Sequence, residues 1–208
     1  MKISILDSKG KSTGREVTLP KDIYAIEPNE HALYLDVKQY LANQRQGTHK
    51  AKERADITGS TRKIKKQKGT GTARAGSIKS GVFRGGGRIF GPRPRDYDVK
   101  LNKKLKKLAR KSALSLKAKD KAITILEDFD FKTPKTKKFI DVLKALKIED
   151  KKSLLIFGKN NNVYLSSRNF KGSDVVTSSE VSTYKILNAK QLVMSESSLN
   201  SINENLSK

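Results

Sequence analysis

Residues 153–194 read SLLIFGKNNNVYLSSRNFKGSDVVTSSEVSTYKILNAKQLVM, and this stretch decides the fold. It contains short apolar runs that predict strands, and the segments between them are typical of short helices. The predicted strands are Ser153–Phe157, Asp174–Thr177 and Gln191–Met194, and the predicted helices are Asn162–Arg168 and Val181–Asn188. Because strands that alternate with helices form βαβ units, the stretch predicts a mostly parallel sheet with covering helices.

The same alternation extends to both sides of this stretch. Further strands are predicted at Lys2–Leu6 and Ala122–Leu126. Further helices are predicted from an Asn29 cap to about Gln46 with Gly47 as its stop, from an Asn102 cap to about Ala118, from a Thr133 cap with Pro134 as its first residue, and from a Ser195 cap to about Leu206. The first of these carries Leu33, Val37, Tyr40 and Leu41 on one face, and the third carries Phe139, Leu143 and Leu146. The fold class is therefore α/β, a Rossmann-like body within a single domain of residues 1–208.

Positive charge is concentrated in the middle of the chain. The 208 residues include 45 Lys and Arg against 21 Asp and Glu, a formal net charge of +24. Residues 45–95 hold +13 of this charge and residues 96–121 hold +7. Self-repulsion of this size opposes compaction unless a polyanion relieves it. The pattern therefore predicts nucleic acid as the partner, and an anionic membrane surface is the rival.

Residues 45–95, called the loop below, also lack the pattern of a core-forming segment. Ten of the chain's fourteen glycines fall within the loop, and its few large apolar residues follow neither a helical nor a strand period. Such a segment cannot bury enough apolar surface to offset its ordering entropy. We therefore predict an extended basic loop, inserted in the domain, that becomes ordered on RNA. A flexible solvated linker is the alternative, but a linker has no need of fifteen cations.

The helix predicted after the loop is amphipathic. Its apolar side consists of Leu101, Leu105, Leu108, Ala109, Ser112 and Leu116. Its basic side consists of Lys103, Lys104, Lys106, Lys107, Arg110, Lys111 and Lys117. Leu114 falls among the lysines and breaks the pattern. Seven cations on one face without an acid predict phosphate binding, since a merely solvated face usually mixes both signs.

Enzyme chemistry finds no support in the sequence. The glycine runs of the loop lack the third glycine of a dinucleotide fingerprint, and no phosphate-binding G-x-x-x-x-G-K-[ST] motif occurs. Without cysteine, the two histidines His31 and His49 make a weak metal site, and the acidic turn at Glu127, Asp128 and Asp130 is more typical of a solvated loop than of a magnesium site. We therefore expect no catalytic residue, metal or cofactor.

The first residues have too short an apolar run for a signal peptide, and no stretch approaches the length of a membrane span, so we expect a cytoplasmic protein.

Four strings in the loop carry a family resemblance. They are RQGT at residues 45–48, QKGTGTARAGS at 67–77, FRGGG at 83–87 and FGPRPR at 90–95. With the layout of the whole chain, they resemble the bacterial large-subunit ribosomal protein L-four family. That family commonly has Pro-Trp before the Gln-Lys-Gly run, where this chain has Ile64 and Lys65. We expect a phosphate contact by Lys65 in place of a stacking contact.

The resemblance implies a structural, non-enzymatic protein of the large ribosomal subunit. It implies that the body lies on the subunit exterior, that the loop enters ribosomal RNA, and that its tip lines the peptide exit tunnel. The expected tip residues are Gln67, Lys68, Gly69, Thr70 and Gly71. The expected RNA-binding residues are Arg45, Lys50, Arg54, Arg62, Lys63, Lys65, Lys66, Lys68, Arg74, Lys79, Arg84, Arg88, Arg93, Arg95, Lys103, Lys104, Lys107, Arg110 and Lys111. The implied partners are large-subunit (23S) ribosomal RNA, neighbouring ribosomal proteins and the nascent peptide, with no membrane. A free regulatory RNA-binding protein, either a translational repressor or an RNA chaperone, is the alternative.

Overall fold

The structure, a computed structural model, describes residues 1–158 and 161–207. The chain divides into two compact units. The first, called the body, comprises Met1–Leu41 with Lys100–Lys208, and the second, called the loop unit, comprises Ala42–Val99.

Strands and helices alternate through the body. Its strands are β1 (Lys2–Leu6), β2 (Ser12–Thr18), β3 (Ile123–Leu126), β4 (Ser153–Phe157), β5 (Ser173–Thr177) and β6 (Gln191–Ser195). Its helices are α1 (Lys21–Tyr24), α2 (Glu30–Asn43, which runs into the loop unit), α3 (Lys103–Lys119), α4 (Thr136–Ala145), α5 (Asn161–Ser167), α6 (Thr183–Asn188) and α7 (Glu196–Ser207).

Across the described residues, the six strands form one sheet in the order β2-β1-β3-β6-β4-β5. Only the β1–β2 pair is antiparallel, and the other four pairings are parallel. Strand β6 lies between β3 and β4, so Ile156 of β4 pairs with Met194 on one side and with Val176 of β5 on the other. The predicted α/β class with a mostly parallel sheet is confirmed.

The central strands are buried on both faces. In β4, Leu154 and Ile156 belong to one apolar cluster, whereas Leu155 and Phe157 belong to the other. The first cluster also takes side chains from α1, α2, α3, α6 and α7, and the second takes side chains from α4 and α5. Alternation along each strand therefore places one layer of helices on each face of the sheet.

Two elements of the body were not predicted from the sequence. Strand β2 reads STGREVT, in which only Thr13 and Val17 are half-buried, so the edge strand shows no apolar run. It is held by backbone pairing with β1 in a hairpin. Helix α1 has only four residues, which is too short for a helical period to appear in the sequence.

Three predicted helix boundaries or faces were wrong. Helix α2 is capped by the Asn29 side chain as predicted, but it ends at Asn43, well before Gly47, and Leu41 is exposed. Helix α4 begins at Thr136 rather than after the predicted Thr133 cap. The backbone N–H of Lys135 donates to Ser166 Oγ of α5, and this contact fixes where α4 starts.

Candidate nucleic-acid interface

Residues 44–102 form no helix or extended strand, and a few backbone hydrogen bonds hold the loop in place. Four of them join its outgoing and returning stretches: Arg95 N to Gly47 O at 3.1 Å, Ala51 N to Pro92 O at 3.0 Å, Arg88 N to Lys52 O at 2.9 Å, and Ile64 N to Gly76 O at 3.0 Å. These bonds make a narrow two-stranded stem. Most of its side chains are left exposed, and they are available to a partner.

An aromatic ring stands at the base of this stem. The guanidinium carbons of Arg45 and Arg95 lie 3.8 Å and 4.6 Å from the centroid of the Tyr97 ring. Cation–π attraction to the ring offsets part of the repulsion between two arginines that pairing of the stem brings near each other. The N–H groups at the guanidinium edges remain free to fork onto phosphates. Sequence reasoning assigned both arginines to RNA binding but missed Tyr97, for which the only signal was an aromatic residue two positions after Arg95.

The chain reverses direction between Lys65 and Thr72. The Lys65 ammonium donates to Thr72 Oγ1 at 2.7 Å, and an isolated antiparallel bridge joins Lys63 to Ser77. The reversal contains the expected tip, residues 67–71, all of them exposed. Gly69 and Gly71 have φ angles of +81° and +63°, a backbone conformation that side-chain-bearing residues adopt at a cost. The string QKGTG thus occupies an exposed turn whose geometry depends on its glycines.

Two cations of the loop are already paired within the chain. The Lys50 ammonium lies 3.1 Å from the Asp56 carboxylate, and the Arg93 guanidinium contacts the Glu53 carboxylate. Hydrogen bonding from Lys50 is the main reason that the pKa of Asp56 lies below its ordinary value. These two acids are the only ones in residues 45–95, so the segment keeps its net charge of +13 for a partner.

The structure leaves nearly all of the predicted cations of the loop open to solvent. The exposed ones are Arg45, Lys50, Arg54, Arg62, Lys63, Lys65, Lys66, Lys68, Arg74, Arg84, Arg88, Arg93 and Arg95. Lys79 is half-buried. Lys63 contacts the side-chain oxygen of Gln67, and Lys65 has the contact to Thr72 described above. The phosphate contact by Lys65 stays a prediction.

Helix α3 departs from the predicted amphipathic pattern. Leu114, which falls on the basic side of the helical wheel, is 1% exposed, whereas Leu108, assigned to the apolar side, is 37% exposed. The C-terminal half of α3 is enclosed by its packing against both α1 and α6. Ser115 Oγ donates to the Ile26 carbonyl after α1, and Lys117 Nζ donates to the Ala189 carbonyl after α6. A single buried stripe therefore does not describe this helix.

The basic surface of α3 is correspondingly shorter than predicted. Lys103 and Lys104 are exposed, and Lys107, Arg110 and Lys111 are half-buried. Lys117 is engaged with the body, so its ammonium stabilises a backbone carbonyl instead of facing outward. The cations open to an RNA backbone are therefore concentrated in the N-terminal half of α3.

The acidic turn after β3 has a structural role. Arg15 of β2 makes ion pairs with Glu127 at 2.8 Å and with Glu196 at 3.3 Å. Asp128 accepts hydrogen bonds from the backbone and the hydroxyl of Ser197 at the start of α7.

Within residues 1–158 and 161–207, no group of three or more His, Cys, Asp or Glu is placed to hold a metal ion. Nor is any helix in those ranges long and apolar enough to cross a membrane.

Comparison with known proteins places the chain in a family. The profile of the family described as "Ribosomal protein L4/L1 family" matches residues 17–205. The chain is 71% identical over 208 residues to the large ribosomal subunit protein uL4 of Christiangramia forsetii, with both chains covered completely. It is 68% identical over 209 residues to that of Flavobacterium johnsoniae, again over the whole of both chains, and 59% identical over 206 residues to that of Parabacteroides distasonis, over 99% of both. A profile match over most of the length, together with these full-length identities, shows that the chain belongs to the ribosomal protein L4/L1 family.

Proposed function

We propose that this protein is a non-enzymatic constituent of the large ribosomal subunit that binds large-subunit (23S) ribosomal RNA. The observation that carries the proposal is the exposure of almost every cation of the loop on a narrow, backbone-paired stem. Full-length similarity to proteins named for the large ribosomal subunit supports the same assembly. Its other partners are the neighbouring ribosomal proteins of the subunit.

The binding mechanism is electrostatic and depends on shape. The loop and the N-terminal half of α3 present cations to phosphates, and each contact releases counterions from the RNA. Arginine suits the stem because its planar guanidinium forks onto phosphate oxygens. Arg54, Arg62, Arg84 and Arg95 have no acidic partner within the described residues, so their guanidinium groups are open to RNA. Bound RNA neutralises the +13 charge of the loop and thereby stabilises the stem.

We assign the turn at residues 67–71 to the wall of the peptide exit tunnel, where it meets the nascent peptide. Its exposure, its glycine-dependent conformation and its place at the reversal of the loop support this assignment. The body has no comparable basic, glycine-rich projection in its described residues, and it is assigned to the exterior of the subunit.

Salt dependence of binding tests the electrostatic mechanism. With about ten cations on phosphates, log K against log salt has a slope of about −7 to −9, since each contact contributes about 0.7 to 0.9. Arg62→Ala with Arg84→Ala should reduce the slope by about 1.4 to 1.8. The matched control, Lys137→Ala with Lys138→Ala on the exposed face of α4, should leave it unchanged. A wild-type slope shallower than about −3 would contradict the mechanism.

Sedimentation distinguishes a ribosomal constituent from a free regulatory RNA-binding protein. A constituent remains with large subunits through a moderate salt wash, whereas a repressor or chaperone stays near the top of the gradient.

The tip assignment is tested separately with Lys68→Glu. This variant should be incorporated normally and should change susceptibility to macrolides that bind in the tunnel, because a carboxylate beside phosphates displaces the turn locally. Failure to incorporate, or normal incorporation with unchanged susceptibility, contradicts the placement.

A further inference from the structure

Phe90 is displayed to solvent in a way that no other phenylalanine of this chain is. Its residue is 98% exposed. The other six phenylalanines, all within the described residues, are buried or half-buried, and Phe139 and Phe157 are essentially inaccessible. A fully exposed aromatic ring gains nothing from the fold of its own chain. Such a ring in a segment that binds a partner points to a contact with that partner.

The backbone on either side of Phe90 is fixed. The hydrogen bond from Arg88 N to Lys52 O precedes it, and the one from Ala51 N to Pro92 O follows it. At Gly91 the stem is so close that an added Cβ would lie 2.5 Å from the Cβ of Ala51. The ring is therefore presented by a constrained segment of backbone, and its ordering entropy is largely lost before any partner binds.

Ile89, the neighbouring residue, is also exposed, at 63%, but less completely than Phe90 at 98%. The side chain of Ile89 lies against the backbone of Gly81, where an added Cβ would be 2.7 Å from its Cγ1. Gly81 thus makes room for Ile89, part of whose side chain lies against the loop. Phe90 follows with its ring free.

The surroundings of the ring identify the chemistry of its ligand. Arg88 and Arg93, two and three residues away, are both exposed cations, and the whole segment is strongly basic. An apolar pocket of a protein partner could accommodate Phe90 and the exposed Ile89 but would leave the flanking cations unpaired, whereas single-stranded RNA offers flat bases beside phosphates. We propose that Phe90 stacks on an unpaired base of the RNA that the loop binds, while Arg88 contacts the neighbouring backbone. This inference rests on the proposed function and adds an aromatic residue to its cationic ones.

The test compares four substitutions of Phe90 in the full-length protein, with Kd for large-subunit ribosomal RNA measured over a range of salt concentrations. Phe90→Ala should weaken binding about 5- to 140-fold, the effect of losing one stacked base. The salt slope should be unchanged, because no charge is lost. Phe90→Tyr and Phe90→Trp should retain most of the affinity, whereas Phe90→Leu, which is apolar but has no π face, should not. Arg88→Ala should instead reduce the slope by about 0.7 to 0.9.

Chemical probing of the complex gives a second readout. One base protected by the wild type and by Phe90→Trp should become reactive with Phe90→Ala, while protection elsewhere persists. A steep wild-type slope together with unchanged affinity in Phe90→Ala overturns the stacking alone, and a shallow wild-type slope overturns the proposed function itself. Full affinity in Phe90→Leu would show that an apolar contact without a π face is sufficient, and it would also overturn stacking. Because the side chain is exposed, circular dichroism and thermal unfolding should match those of the wild type in all four variants.

Discussion

Replacing Leu114 by alanine should destabilise the body strongly, even though this leucine falls among lysines on the helical wheel. Leu114 is 1% exposed and belongs to the apolar cluster that also contains Ile125 and Leu154. The change removes three carbon atoms, a transfer free energy of about 2.4 kcal/mol at about 0.8 kcal/mol each. The cavity that remains in a close-packed core raises the expected cost to about 3–5 kcal/mol.

Leu108→Ala in the same helix is the matched control. The chemical change and the change in helix propensity are the same, but Leu108 is 37% exposed. Only about three fifths of the transfer free energy applies, roughly 1.5 kcal/mol, and no closed cavity forms because water reaches the site. The two variants should therefore differ by about 1.5 to 3.5 kcal/mol, with Leu114→Ala the less stable.

Urea denaturation followed by circular dichroism measures this difference. With a slope near 2 kcal/mol/M, a gap of about 2 kcal/mol separates the two midpoints by about 1 M. Equal midpoints, or a lower midpoint for Leu108→Ala, would refute the enclosure of the C-terminal half of α3 and restore the simple amphipathic pattern. Salt should be held constant throughout, since the net charge of +24 makes stability depend on it.

Three further predictions concern single substitutions. The hydroxyl of Tyr24 is buried without a hydrogen-bond partner within the described residues, and burial raises its pKa. Tyr24→Phe should therefore leave the free energy of unfolding unchanged or raise it by up to about 1–3 kcal/mol, and a loss above about 1 kcal/mol would reveal a partner. Gly47 has φ +65°, and a Cβ there would lie 2.0 Å from the Arg95 carbonyl oxygen. Gly47→Ala should therefore open the stem, and limited proteolysis would detect this as faster cleavage between residues 48 and 95. An unchanged cleavage rate would argue against the stem. Lys50 lowers the pKa of Asp56, so this pair should contribute stability at pH values above the ordinary carboxyl pKa and lose it as the pH falls through the lowered value. In a carboxyl NMR titration, Lys50→Ala should return the pKa of Asp56 toward its ordinary value. No change in that pKa would contradict the pairing.

The sequence by itself determined the features that depend on neighbouring residues. Strands β1 and β4 lie where their short apolar runs predicted them, and Asn29 caps α2 because its side-chain oxygen needs only a backbone N–H three residues away. The concentration of charge in residues 45–121 is likewise a property of the chain in any conformation. The fold class and the positions of five of the six described strands therefore followed from local pattern, and the expectation of a polyanionic partner followed from composition.

Only the tertiary structure decided the features that depend on what lies across space. Leu114 is buried because both α1 and α6 pack against α3. A helical wheel shows only the residues of α3 and cannot indicate that two other helices pack on it. Tyr97 contacts the guanidinium groups of both Arg45 and Arg95 because pairing of the stem brings together residues about fifty positions apart. The exposure of Phe90 arises in the same way, since the hydrogen bonds that fix its backbone come from residues 51 and 52. Burial and stacking are set by long-range contacts, and a local pattern carries no information about which distant segment will supply them.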